Sequence, residues 1–500
     1  MDVDQKTPMT PEVTKRIAIV RIRSEHDLEW ELPPWVHGLL GAMRPGGILG
    51  RLHQTRGQAF MPQLTLPYLA ALAEARDRIA GTRHEYVLVD SREADARLEG
   101  IHMAWFTVST PNALATYRVS DALRARGVPT VLGGIHASTL PDEVAAHATA
   151  VALGEGEGVV GDILADFDAG RPLRPSYNGG RRPALDELPV PRWHDAATAD
   201  YCPWIVPIQT SRGCRNACSF CSTTRFQGAA RRHRPVGEVV DEIRALQDAG
   251  VLTPDKTVFF TDNNIVSDTD HRRGIRDTSH ARELFEALVP LGITRWVGQG
   301  EVSVADDPDL VELMARSGCH LLLVGLESVS QSSLDGLGKV GNRVAQYESA
   351  IDTLHRHGVA LIGCFILGLD GDGPEVFEDT RRFIERHIDV PQVSLLTPFP
   401  GTPLYQRMKT DGRLLHEDWS RYDITHVVFR PARMTPEELE AGYVGLTRSI
   451  YSNAAILRRA WRYAAARTVN DVPRVGRAGR MTSIVAPNLV YRRLARLGHN

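Results

Sequence analysis

Short apolar runs alternate with amphipathic segments from residue 16 to about residue 430. KRIAIVRI (15–22), EYVLVD (85–90), HMAWFTVST (102–110), PTVLGG (129–134) and AVALGEGE (150–157) read as strands. PQLTLPYLAALAEARDRIAG (62–81) and NALATYRVSDALRARG (112–127), between them, have helical spacing. Strands this apolar must be covered on both faces, and strand–helix alternation achieves that with a parallel sheet. Residues 16–170 therefore read as a doubly wound α/β domain. Ligands of such sheets bind beyond the carboxyl ends of the strands. The loops VSTPNA (108–113), GGIHAST (133–139) and GEGEG (154–158) fall there.

The remaining organisation follows from composition and period. Residues 1–15 are polar and acidic and read as disordered, with no secretory signal pattern. Residues 171–205 are rich in proline, glycine and arginine and read as a linker. Residues 206–430 alternate again, in about six βα units, which predicts a partial barrel with its site at the strand carboxyl ends. TPFPGTP (397–403) reads as a stiff loop, either shaping a cavity or forming a structural corner. Residues 431–500 read as a helical tail with twelve arginines, no lysine and four acids, a formal +8. Since the whole chain carries −3, the other 430 residues carry −11. The tail suits a solvated cap on the barrel or contact with an anionic membrane surface. No apolar run reaches the roughly 18–20 residues needed to span a bilayer. The expected location is the cytoplasm, where thiols stay reduced.

Half of the six cysteines lie in SRGCRNACSFCS (211–222), as Cys214, Cys218 and Cys221. The spacing is C-x3-C-x2-C. Zinc sites commonly take four ligands from paired arms, and no matching arm is near; Cys202 is twelve residues upstream, across the linker end. Three thiolates on a 4Fe-4S cluster leave one iron open to a chelating ligand. The loop also follows the apolar run WIVPIQT, at the mouth of the expected barrel. Cys319 and Cys364 read as core thiols. His355 and His357 read as surface residues.

C-x3-C-x2-C with Phe220 before the last cysteine resembles the signature of radical S-adenosylmethionine enzymes. The resemblance extends to FTDNN (260–264), WVGQGEVSVADDPDLVELMARSGC (296–319), LLVGLESVS (322–330), CFILGLDGD (364–372) and LLTPFPGTPLY (395–405). LPYLAAL (66–72), GGIHASTLPDEV (133–144), LGEGEGV (153–159) and ALDELPVPRW (184–193) are similar to stretches of the branch with a cobalamin-binding domain ahead of the barrel. Within it the chain resembles the group that includes the hopanoid C-2 methylase. The likeness covers about 16–450.

This resemblance implies a 4Fe-4S cluster on Cys214, Cys218 and Cys221, reductive cleavage of S-adenosylmethionine to a 5′-deoxyadenosyl radical, and an electron donor such as flavodoxin or ferredoxin. Candidate S-adenosylmethionine contacts are Phe220, Asp262, Asn263, Asn264, Gln299, Glu327 and Ser328, with Glu301 beside them. Candidate cobalamin contacts are Ser109 and Thr110, then Gly133, Gly134, His136 and Ser138, then Gly154, Glu155, Gly156 and Glu157. No histidine here has an aspartate two residues before it, so the D-x-H-x-x-G motif that places a histidine under cobalt is missing. His136 is then expected at the cobalamin periphery. The combined implication is C-methylation of an unactivated carbon in a lipid-like or other small molecule. Cobalamin-dependent cyclisation or rearrangement is the alternative within the same chemistry. A cluster-based redox or ligand sensor is the non-enzymatic one. RNA methylthiolation would call for further cysteines and a basic RNA module, so no nucleic-acid partner is expected.

Overall fold

Two six-stranded parallel sheets carry the regular structure. The computed structural model describes residues 14–24, 63–92, 96–180, 182–193, 204–216, 218–466 and 477–497. The expected disordered stretch up to residue 13 and Cys202 lie outside them.

The front sheet contains β1 (Lys15–Ile22), β2 (His84–Ser91), β3 (Met103–Thr107), β4 (Thr130–Gly133), β5 (Ala150–Leu153) and β6 (Ser176–Asn178). Their order is β2-β1-β3-β4-β5-β6. Alternation along β1 sets the two layers. Ile17 and Ile19 pack under the helices Thr65–Ala80 and Val160–Asp168. Ala18, Val20 and Ile22 pack under the helix Ala113–Ala125. The order reverses direction between β1 and β3, which opens a crevice at their carboxyl ends. The stretch read as a linker supplies β6, a three-residue strand too short for any period to show.

The second sheet contains β7 (Ile205–Ile208), β8 (Thr257–Phe260), β9 (Trp296–Gly300), β10 (Cys319–Glu327), β11 (Ala360–Leu367) and β12 (Val390–Leu395), neighbours in chain order. One face, with Val258, Phe260, Trp296, Leu322 and Phe365, packs on the intervening helices. The other face presents Val297, Leu321, Ala360, Ile362 and Val390 to Ala460, Tyr463 and Ile484 of the tail. The tail therefore fills the concave side of the open barrel. Full burial of each valine, leucine or isoleucine among them stabilises the fold by roughly 1.5–3 kcal/mol.

Some tail arginines are structural. Arg459 is fully buried and donates to the carbonyl of Ile450 (2.7 Å) and to Asn488 Oδ1 (2.6 Å). Arg462 donates to the carbonyls of Glu385 (2.7 Å) and Ile388 (2.6 Å), satisfying the end of the helix Val376–His387. Among the described residues no helix is long and apolar enough to cross a membrane.

Two single residues depart from expectation. His355 is not a plain surface residue: its Nε2 lies 2.7 Å from a carboxylate oxygen of fully buried Asp389. His357 Nδ1 is buried without a partner among the described residues. Both flank the end of a helix where the chain turns back into β11, and both are half-buried. Cys319 is core, as its apolar strand predicts.

Candidate functional site

One carboxylate fixes the exit of the cysteine loop from β7. Asp262, fully buried beyond the end of β8, accepts from Thr210 N (3.0 Å), Thr210 Oγ1 (2.7 Å) and Ser211 Oγ. Gly213 then takes φ 95°, and a Cβ there would collide with the carbonyl of Ala230. Only glycine fits. Cys214 N donates to the carbonyl of Gly228 (3.2 Å), and Cys221 N to that of Cys218 (3.2 Å), so the last two cysteines share one turn. Phe220 packs against the barrel core.

All three thiols are free and partly buried. Burial raises the Cys218 thiol to about 11, although nearby Lys339 pulls it back. Cys214 is raised by burial too. Buried thiols stay protonated until a cationic group binds, and metal-bound thiols are deprotonated outright. Among the described residues no three Cys, His, Asp or Glu side chains converge on a single ion. Three soft donors on one loop suit a larger iron–sulfur group instead.

The polar residues around this loop are largely tied to one another. Glu327 ends β10 at φ 65°, a left-handed conformation that costs a side-chain residue roughly 1–3 kcal/mol. The register against β11 slips beside it. Its carboxylate meets Lys339 Nζ at 2.5 Å, and a Cβ on Gly325 would collide with that carboxylate. Lys339 thus stands between Glu327 and Cys218, held protonated above its usual range by Glu327 and Cys218 despite its burial. Ser328 is buried, its Oγ accepting from Ser330 N (3.1 Å).

Glu301, beyond β9, accepts from Ser267 Oγ, Thr269 Oγ1 (2.5 Å) and His271 Nε2 (2.9 Å). Burial alone would raise its carboxyl, but these hydrogen bonds win and lower it to about 2. Asn264 Nδ2 donates to Ser267 Oγ (3.2 Å), and Asn263 Nδ2 to Gln227 Oε1 (2.7 Å). Gln299 is half-buried and accepts from Ile265 N through its backbone (2.8 Å). Arg231, absent from the sequence reading, is buried with its Nη2 unpartnered among the described residues. Burial lowers its hold on its proton, which Asp262 and other nearby acidic groups including Cys214 partly restore.

Across from this loop lies a cavity of about 660 Å³ between the carboxyl ends of the two sheets. Ser109, Gly133, Gly134, Gly154, Glu155, Gly156 and Glu157 line its front side. Gln209, Arg212 and Thr261 line its barrel side, with Val108, Val159 and Leu188 as apolar wall. Thr110, His136 and Ser138 do not line it. His136 is buried, with Nε2 3.0 Å from Tyr117 Oη and Nδ1 3.3 Å from Thr110 Oγ1. Burial lowers the basicity of that imidazole. Ser138 Oγ accepts from Gly154 N (3.0 Å) and borders a smaller pocket of about 390 Å³.

The acids of GEGEG bind the barrel. Glu155 is paired with Arg212 (2.7 Å) and with Arg232; Glu157 is paired with Arg212 (2.7 Å) and accepts from Tyr68 Oη (2.5 Å). Burial raises the Glu155 carboxyl, but the two guanidiniums overcome it and hold it low. Arg212 sits two residues before Cys214, so one guanidinium joins the front sheet to the cysteine loop. The sequence signal for it was only an arginine in SRGC.

The Radical SAM superfamily pattern matches residues 208–384, and a domain of unknown function (DUF4070) matches residues 402–498. The bacteriochlorophyllide d C-12(1)-methyltransferase of Chlorobaculum tepidum is 33% identical over 389 residues, 76% of this chain and 82% of that protein. The hopanoid C-2 methylase of Rhodopseudomonas palustris is 26% identical over 296 residues, 58% of this chain and 54% of that protein. Among solved structures, the radical S-adenosylmethionine methyltransferase TsrM from Kitasatospora setae, with cobalamin and a 4Fe-4S cluster bound, superposes with TM-score 0.61 at 17% identity, covering 89% of this chain and 90% of that one. At that identity the likeness is one of fold.

Proposed function

The chain belongs to the radical SAM methyltransferase family, and on that premise we propose that it is a cobalamin-dependent C-methyltransferase acting on an unactivated carbon of a small hydrophobic metabolite. The observation that carries the reading is the shared cavity, with strand-end loops of the front sheet on one side and the barrel mouth that holds the cysteine loop on the other. In this reading Cys214, Cys218 and Cys221 hold the 4Fe-4S cluster. Cobalamin lies against Ser109, Gly133, Gly134 and the 154–157 turn. When bound, the cluster and S-adenosylmethionine supply one-electron carbon–sulfur cleavage, and the corrinoid supplies the methyl group.

The chain's own residues have narrower tasks. Lys339 places a cation beside Cys218 and offsets thiolate charge in a half-buried site. Arg231 Nη2 and the strand ends at Gln299 and Ser328 are the polar surfaces available to an amino-acid and ribose portion. Val108, Val159 and Leu188 give the cavity apolar wall among its charged residues. Arg212 fixes the spacing of the two sides through Glu155 and Glu157. The named relatives act on a bacteriochlorophyllide and a hopanoid, which supports a hydrophobic substrate here.

The test is label transfer. Cells producing the chain are fed methionine labelled with deuterium in its methyl group, and organic extracts are compared with those from Cys218→Ala cells. The reading expects a methyl-labelled product present only with the intact cysteine. Cysteine-dependent 5′-deoxyadenosine from the purified protein, with no labelled product in any extract, would replace methyl transfer by cyclisation or rearrangement.

A further inference from the structure

The tail that matches a domain of unknown function has one face that barrel packing does not use. The helix Asn453–Ala465 buries Ala455, Ile456, Arg459, Ala460, Tyr463 and Ala464. Its outward side carries Leu457, 55% exposed, and Trp461, 66% exposed. Residues four apart lie one above the other on a helix, so these two form a ridge. Single exposed apolar side chains such as Ile79 and Val190 are ordinary; a tryptophan and a leucine stacked on one exposed face are not.

Cations frame the ridge. Arg458 lies beside it, loosely paired with Glu385 at 3.5 Å. Arg492, on the last helix Arg477–Leu497, donates to Asn453 Oδ1 (2.7 Å) at the start of the ridge helix. The two helices run antiparallel, so exposed Arg496 lies one turn beyond the start of the ridge helix. Partial burial and the like charge of Arg496 both weaken the hold of Arg492 on its proton. Residues 441–500 contain eleven arginines and one acid, Asp471. The tail sequence is therefore net positive, while the rest of the chain is acidic.

We propose that this ridge and its arginines dock the protein on an anionic lipid surface. Indole and leucyl groups settle at the headgroup boundary, and guanidinium groups pair with phosphate oxygens. A second copy presenting the same face would set Arg492 and Arg496 against their own kind, so charge argues against self-association. Two apolar side chains and a few arginines give weak, reversible attachment, which suits an enzyme that collects a hydrophobic substrate at a surface. The proposal stands whether or not the methyltransferase reading holds.

Sedimentation with vesicles tests it on the full chain. Phosphatidylcholine vesicles containing phosphatidylglycerol should carry the protein down, and pure phosphatidylcholine vesicles should bind at least about tenfold less. Raising salt should release it. Leu457→Ser with Trp461→Ser should cut binding about tenfold with circular dichroism unchanged, Arg496→Glu should cut it about threefold, and Ile79→Ser should leave it alone. Wild-type protein left in the supernatant with both vesicles overturns the proposal. So does equal binding by the double variant, or a dimer that the double variant abolishes without any vesicle binding. If the double variant does not fold, the lipid and salt dependence of the wild type decides alone.

Discussion

The barrel mouth and the front-sheet mouth are both made of strand-end loops, yet they use charge in opposite ways. Around the cysteine loop, buried charges close on one another: Glu327 with Lys339, Glu301 with His271, Asp262 with the backbone and hydroxyls of residues 210–211. At the front mouth the small residues Ser109, Gly133 and Gly134 face the cavity, and Glu155 and Glu157 reach across to Arg212. A rigid, polar frame suits a compact charged group that must be held in one position. A smooth, small-residue rim suits a broad ligand approached closely by backbone. On the proposed function, one side would place reactive atoms and the other would accommodate bulk.

Substitutions on the two sides should therefore fail differently. Replacing Cys218 with alanine should abolish bound iron and lower 5′-deoxyadenosine formation by at least about a thousandfold, with little change in unfolding of the iron-free protein. A large stability loss without iron loss would place that cysteine in the fold, not the site. Lys339→Met leaves the buried Glu327 carboxylate unpaired and should cost about 3–5 kcal/mol in urea unfolding, with Glu327→Gln in the same chain restoring much of it. No recovery would mean that the pair is not coupled.

Glu301 gives the frame a pH signature. Its folded-state value of about 2 lies below its ordinary 4.5. The stabilisation is thus complete above pH 4.5 and is lost as pH falls towards 2. It amounts to about 3 kcal/mol, and Glu301→Gln should flatten the stability profile over that window. An unchanged slope would contradict the hydrogen-bond arrangement. At the front side, Arg212→Ala should cost only about 2 kcal/mol, because Arg232 still holds Glu155, while weakening cobalamin binding about tenfold. An equal effect on iron content would erase the distinction between the two mouths.

Much of this was legible in the sequence because it is local. Cys214, Cys218 and Cys221 declare themselves within eight residues, and the apolar runs of β1, β3 and β11 show as runs. The rest depends on partners far apart in the chain. Asp262 looks like a ligand group in FTDNN, but its oxygens are taken by residues 210 and 211, which nothing local reveals. Arg212 and Glu155 are 57 residues apart and meet only when two sheets face each other. His136 sits in a glycine loop that suggests a ligand, yet β3 and the helix behind it bury the ring against Tyr117. Arginine content marked the tail as unusual without separating Arg459, buried under the barrel, from Arg496, left outside.

The proposed function needs a cluster on the cysteine loop and a corrinoid on the front rim, with the cavity between the two mouths reaching the loop's side through Arg212. The most direct measurement is bound iron, bound cobalamin and 5′-deoxyadenosine in one anaerobically reconstituted preparation, for the wild type and for the chain with Cys214, Cys218 and Cys221 all replaced by alanine. The wild type should hold about four irons and one cobalamin, and the variant should lose iron and deoxyadenosine but keep cobalamin. A wild type that holds the cluster and cleaves S-adenosylmethionine yet binds no cobalamin would contradict the proposed function.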